Sequence, residues 1–186
     1  MDNKIKFSNM HSDGPIVLDR EVMEDTRGAF TRLYCKDEFS RAGLLDEFVQ
    51  MNLSLSRKEG TIRGLHFQKP PYSEAKVVTC LKGEIHDVAL DIRKESRDYL
   101  KFYPIVLSES NRKSLVIPKG FAHGFQTLTA DCLVLYMHSN YYAPDFEDGL
   151  NALDDSLQIN WPLSCSEMSD RDRNFKNLQD SKFKGI

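Results

Sequence analysis

With 186 residues, 40% of them hydrophobic and 28% charged, the chain has the composition of one ordinary globular domain, taken here as residues 1–186. A net charge of −3 gives no global pull toward nucleic acid or acidic membranes, so an anionic ligand needs a local cluster of Arg and Lys. The longest apolar run, Cys132 to Met137, is far short of the ~20 residues of a membrane-crossing helix, and Met1-Asp2-Asn3-Lys4 has no signal-peptide pattern, which makes the cytoplasm the expected compartment.

In chain order, Pro15-Ile16-Val17-Leu18 is a run too short to stand alone and is expected to join a sheet edge, its own or a partner's. Lys36 to Leu45 reads as a helix. Then come Lys76 to Leu81, Ile85 to Ile92, Phe102 to Leu107, Ser114 to Ile117, Phe125 to Leu128 and Cys132 to His138, short apolar or β-branched runs. Turn-like pieces such as Lys82-Gly83 and Pro118-Lys119-Gly120 separate them, the pattern of a sandwich or barrel. A second helix is expected over Asp170 to Leu178. The expected fold is therefore mainly β, a cupin or jelly-roll barrel with one or two short peripheral helices. Cys35, Cys80, Cys132 and Cys165 lie far apart without a CxxC pair, which argues against a disulfide framework or zinc knuckle.

Two of the five histidines stand in a setting that asks for explanation. His66 lies in Arg63-Gly64-Leu65-His66-Phe67-Gln68, and His123 follows Pro118-Lys119-Gly120 at the mouth of an apolar strand. A lone histidine of this kind is more often a hydrogen-bonded core residue. Lys76, Asp87 and Tyr136 are also polar residues inside apolar strands, and a cluster of costly buried polar groups is more often a site than a core. His11, His86 and His138 lack such company and read as structural or exposed.

Pro-x-Gly-x-x-His resembles the second motif of cupins. A metal-binding cupin carries His-x-His and a carboxylate in its first motif, whereas this chain has His66-Phe67-Gln68 followed by Lys76. An ammonium has no lone pair for a cation, and an amide is a poor ligand for zinc or iron. No metal is expected. A base, a cation and a phenol remain: His66, Lys76 and Tyr136. Inverting a carbon beside a ketone needs a base on one face, an acid on the other, and a donor to the enolate oxygen. The same trio also fits a binding pocket.

Seven segments extend the likeness: Gln50 to Ser54, Arg63 to Gln68, Gly83 to Val88, Pro118 to Phe125, Tyr141 to Pro144, Ile159 to Pro162, and Ser169-Asp170-Arg171-Asp172. In this order they resemble the dTDP-4-dehydrorhamnose 3,5-epimerases, from about Asp25 to Asp172. The resemblance implies a homodimeric, cofactor-free cupin acting on a nucleotide-linked 4-keto-6-deoxyhexose. It assigns His66 as base with Asp172 as its partner, Tyr136 as proton donor, and Lys76 and His123 as groups near the ketone. It further assigns Arg63 to the diphosphate, Arg27, Gln50 and Asn52 to the nucleotide, and Glu147 and Arg171 to substrate binding. Arg27, Arg63, Lys76 and Arg171 then supply the required cationic cluster. Asp87 is read as a partner of one histidine, with a buried structural hydrogen bond as the alternative. Arg32, Leu53 and Ala152 depart from the family pattern, the first two in segments of the nucleotide-handling type. Arg63 and His66 are three residues apart, so a regular strand aims them to opposite faces unless Gly64 hosts a bulge.

Rival readings are a mono-epimerase, a related 3,4-ketoisomerase, a sugar-nucleotide-binding cupin without catalysis and, as the weakest, a metal-dependent oxygenase. No nucleic-acid or membrane partner is expected.

Overall fold

The structure, a computed structural model, describes residues 4–10 and 13–186, which leaves His11 outside the described residues. Strands β1 (Ile5–Asn9) and β2 (Ile16–Arg20) pair antiparallel, and β3 (Val22–Asp25) with β4 (Gly28–Thr31) forms a separate hairpin. Helix α1 (Lys36–Arg41) precedes β5 (Gln50–Ser56), β6 (Ile62–Gln68), β7 (Lys76–Lys82) and β8 (Glu84–Asp91). These are followed by β9 (Phe102–Ser108), β10 (Ser114–Ile117), β11 (Phe121–Thr127), β12 (Cys132–His138) and β13 (Glu147–Gly149). The last helix, α2, spans Asp170–Arg173. One sheet has the order β1-β2-β10-β7-β12-β5 and the other β13-β6-β11-β8-β9, the two walls of the expected jelly roll.

Strand alternation, with side chains two residues apart on the same face, decides what lies between these walls. On β7, Val78 and Cys80 point inward and Lys76 continues the same row; on β12 the row is Cys132, Val134, Tyr136, His138. The inner apolar residues meet Ile85, Leu107, Leu115 and Phe125 in one buried cluster. The other faces are covered too. Val77, Val116 and Met137 pack under Phe39 of α1, while Ile62, Leu65 and Phe67 pack under Leu150, Leu157 and Met168 of the C-terminal segment. The interior is thus apolar where strands carry only Val, Cys, Leu and Phe, and turns polar where the same rows reach Lys76, Tyr136 and His138.

Three expectations are corrected. β2 is not at a sheet edge, because β1 occupies that edge and β10 the other side. The first helix ends at Arg41 rather than Leu45; Gly43 at φ +81° takes a left-handed conformation that breaks it. The second runs only Asp170–Arg173, with a separate 3-10 turn at Leu178–Asp180. In addition, β11 begins at Phe121, so His123 lies inside the strand with a fixed facing.

Candidate active site

The polar end of the interior opens as a cavity of about 890 Å³. That is within the usual range for small-molecule sites. The five-stranded wall contributes Arg63, His66, Gln68 and His123, and the six-stranded wall Gln50, Asn52, Lys76, Tyr136 and His138; Glu147, Arg171 and Asp172 close one side. Arg63 and His66 both line it, and the reason is a local irregularity. Opposite β11, the pairing jumps from His66↔His123 to Arg63↔Phe125, a bulge centred on Gly64. There φ is +120°, and the backbone approaches so closely that a Cβ on Gly64 would lie 2.6 Å from the Gly124 Cα.

His66 Nε2 lies 2.7 Å from Asp172 Oδ1, and the other carboxylate oxygen accepts the Gly64 N–H at 3.1 Å. Ser169, the N-cap of α2, accepts the Asp172 N–H and so fixes the residue at the helix start. Burial pushes the Asp172 carboxyl up, but the hydrogen bond and charge of His66, the Gly64 N–H and Ser169 outweigh it and hold it below the usual carboxylate range. An ionised Asp172 takes the Nε2–H, which leaves Nδ1 as the ring nitrogen with a free lone pair. Arg171 also stands 2.9 Å from Nε2, but a nitrogen donating to a carboxylate cannot accept from a guanidinium. The made bond of Arg171 is to Glu147 at 2.6 Å, and Tyr142 donates its hydroxyl to the same carboxylate.

Beside His66, His123 Nε2 lies 2.8 Å from Asp87 Oδ2, with both side chains buried. Asp87 is therefore the carboxylate partner of His123. Tyr136 faces them from the opposite wall, its ring 6.3 Å from that of His123. Its hydroxyl shares a 2.9 Å hydrogen bond with Ser54. Burial pushes the phenol well above its ordinary value, and Ser54 offsets only part of this, so it carries its proton at neutral pH. Gln68 donates to the Tyr72 and Tyr141 carbonyls and accepts from the Ala143 N–H, so its amide fastens a loop.

Two candidates do not line this cavity: Asp87, which stands behind His123, and Arg27. Arg27 sits at the tip of the β3–β4 hairpin, 88% exposed, and pairs with Asp25. The cations that line the cavity are Arg57, Lys58, Arg63, Lys76 and Arg171. Glu74 and His138 are among the lining residues that sequence reasoning missed. His138 stands two residues after Tyr136 on one strand, so period-two alternation alone would have placed it in the cavity. Glu74 lies in the turn before β7, where no periodicity reports its facing. Arg32, one of the departures from the family pattern, lies outside the cavity and pairs with the buried Glu38 of α1 at 2.6 Å. Leu53 is an exposed residue of β5 that lines the cavity, and Ala152 is buried beneath Trp161, whose indole donates to its carbonyl.

Among the described residues no helix is long and apolar enough to cross a membrane.

Known proteins share this fold and much of this sequence. Residues 9–180 match the family profile of dTDP-4-dehydrorhamnose 3,5-epimerase. A dTDP-4-dehydrorhamnose 3,5-epimerase of Methanothermobacter thermautotrophicus is 38% identical over 181 residues, covering 96% of this chain and 97% of that protein. The Bacillus anthracis enzyme, solved with TDP and PPi bound, superposes with a TM-score of 0.91 at 38% identity, over 94% of this chain and 99% of that one. A Legionella pneumophila dTDP-6-deoxy-D-glucose-3,5-epimerase in complex with dTDP-4-keto-L-rhamnose gives a TM-score of 0.89 at 35% identity, over 94% and 93%. On the profile match, the sequence identity over nearly the whole of both chains and the shared fold, the chain belongs to the dTDP-4-dehydrorhamnose 3,5-epimerase family.

Proposed function

We propose that this protein epimerises the carbons flanking the C4 ketone of a nucleotide-linked 4-keto-6-deoxyhexose, with dTDP-4-dehydro-6-deoxy-D-glucose as substrate and dTDP-4-dehydro-L-rhamnose as product. The observation that carries the reading is the placement of an Asp172-paired imidazole and a buried, protonated phenol on facing walls of one cavity. His66 takes the proton from the carbon beside the ketone, using the ring nitrogen that Asp172 leaves free. Asp172 stabilises the imidazolium that results. Lys76, with His123 nearby, donates to the oxygen on which enolate charge develops. Tyr136 returns a proton to the opposite face, which inverts the centre.

In the same reading, Arg63 and Arg171 take the diphosphate, Gln50, Asn52 and Glu147 hold the rest of the substrate, and no cofactor is used. Arg27 reaches a nucleotide in a second copy of the chain. Its exposed hairpin carries Met23 and Phe30, and the free edge strand β5 exposes Met51, Leu53 and Leu55. Such an apolar edge is suited to a homodimer partner. The four unpaired thiols suit a cytoplasmic enzyme.

The test is proton NMR of dTDP-4-keto-6-deoxyglucose incubated with the protein in D₂O. Deuterium enters at C3 and C5 with formation of the L-rhamno product; a pool that stays protonated at both carbons rejects the reading, and a migrated carbonyl assigns a ketoisomerase instead.

A further inference from the structure

A carboxylate that the proposed chemistry does not use lies buried in the cavity wall. Glu74 Oε2 accepts from His138 Nδ1 at 2.9 Å, and Glu74 Oε1 lies 3.3 Å from the Lys76 ammonium. All three side chains line the cavity and are largely shielded from solvent. The turn that carries Glu74 is itself pinned. Ala75 donates its N–H to Ser139 Oγ and accepts the Ser139 N–H, so the segment is stitched to the residue next to His138. Burial alone would push the Glu74 carboxyl up, yet the bond from His138 and the charge of Lys76 bring it below its ordinary value, so it is ionised. On its far side, His138 Nε2 lies 3.4 Å from the Asn52 amide.

A buried carboxylate is costly unless its partners are fixed, and here both oxygens are committed to groups that face the substrate space. A lysine side chain has four rotatable bonds and no preferred endpoint. Glu74 supplies that endpoint for Lys76. We infer that Glu74, held by His138, is a positioning residue that fixes the Lys76 ammonium against the reacting ketone. The inference rests on the proposed role of Lys76 and extends it to two residues outside that scheme.

The experiment is a double-mutant cycle on turnover of dTDP-4-keto-6-deoxyglucose, with single-turnover deuterium exchange as the readout for slow variants. Glu74→Ala is expected to lower kcat about 10–100-fold, the cost of a misplacement on the order of 1 Å, with KM changed much less. His138→Ala is expected to follow in the same direction with a smaller loss. In a Lys76→Ala background the Glu74→Ala loss should vanish, because a residue that acts through Lys76 has nothing left to position. Should Glu74→Ala not fold, Glu74→Gln repeats the cycle with the volume kept. A loss that persists undiminished without Lys76, or no loss in kcat at all, overturns the inference. An inert wild-type protein is the separate result that removes the epimerase reading itself.

Discussion

Asp172 grips His66 from the start of a four-residue helix more than a hundred positions downstream, and with its second oxygen it also holds the Gly64 N–H of the bulge that turns His66 inward. One carboxylate therefore sets the ring's tautomer and braces the backbone beside it. Replacing Asp172 by Asn keeps the shape but leaves one acceptor oxygen for two N–H groups, Gly64 N–H and His66 Nε2–H, and puts an NH2 donor in place of the other. A loss of about 10²–10³-fold in kcat is expected, smaller than for His66→Ala, and steady-state kinetics with the keto sugar will measure it. Equal activity of Asp172→Asn and wild type would detach the carboxylate from the chemistry.

The same residue makes a prediction about acid stability. Its folded pKa is depressed, so its contribution is fully present above the unfolded value near ~3.9 and is lost as pH falls through the lower folded value. The stability gap between wild type and Asp172→Asn should be full near neutral pH and should close as the pH drops through the carboxylate range. Urea melts at a series of pH values give the curve; a gap that widens toward acid contradicts the sign.

Tyr136→Phe removes the phenolic proton and leaves the opposite wall intact. We expect deuterium exchange to continue at a carbon that His66 can reach, while net inversion falls by about 10²-fold or more. NMR separates the two observables in one sample. Loss of both in parallel would place Tyr136 in binding rather than reprotonation.

Gly64 and Gly28 separate conformational strain from crowding. Both have positive φ, but a Cβ at Gly28 meets open space, whereas one at Gly64 runs into Gly124 and the His123 carbonyl. Gly28→Ala should cost about 1 kcal/mol from backbone conformation. Gly64→Ala should cost about 2–4 kcal/mol, since the β6 and β11 backbones must separate. Thermal melts read both, and equal costs would rule out close approach as the reason for the glycine.

If the hairpin and β5 meet a second copy, Met51→Glu places a charge in an apolar contact and should shift the protein toward monomer. Sedimentation velocity checks this, with an unchanged sedimentation coefficient as the contrary outcome.

Strands β2 and β7 to β12 were legible as short apolar or β-branched runs between turn-like pieces, whereas β5, β6 and β13 were not among those runs. His66, Asp172 and Tyr136 were singled out through motifs and a family likeness, and the three line one cavity. Arg63 beside His66 was anticipated as a bulge at Gly64, and the broken β6–β11 register is that bulge. What escaped depended on tertiary placement. β1 has little apolar signal of its own and is held by pairing with β2. Glu74 belongs to a turn whose position comes from Ser139, a residue far along the chain. His138 was passed over although the spacing from Tyr136 already disclosed its facing. The pairing of the Arg32 guanidinium with the buried Glu38 was not legible, because it joins a loop residue to one face of α1.

Core and site share rows: Lys76 leads directly to Val78 along β7, and Val134 leads directly to Tyr136 and His138 along β12. Insertions and deletions are therefore held to a stricter rule than substitutions. One residue added within β12 ahead of Tyr136 would carry the phenol and His138 outward and Met137 inward together, abolishing the acid and the packing in a single event. Variation that this lineage can tolerate in its reaction must come by exchange of side chains at fixed positions, or by change in the turns between strands.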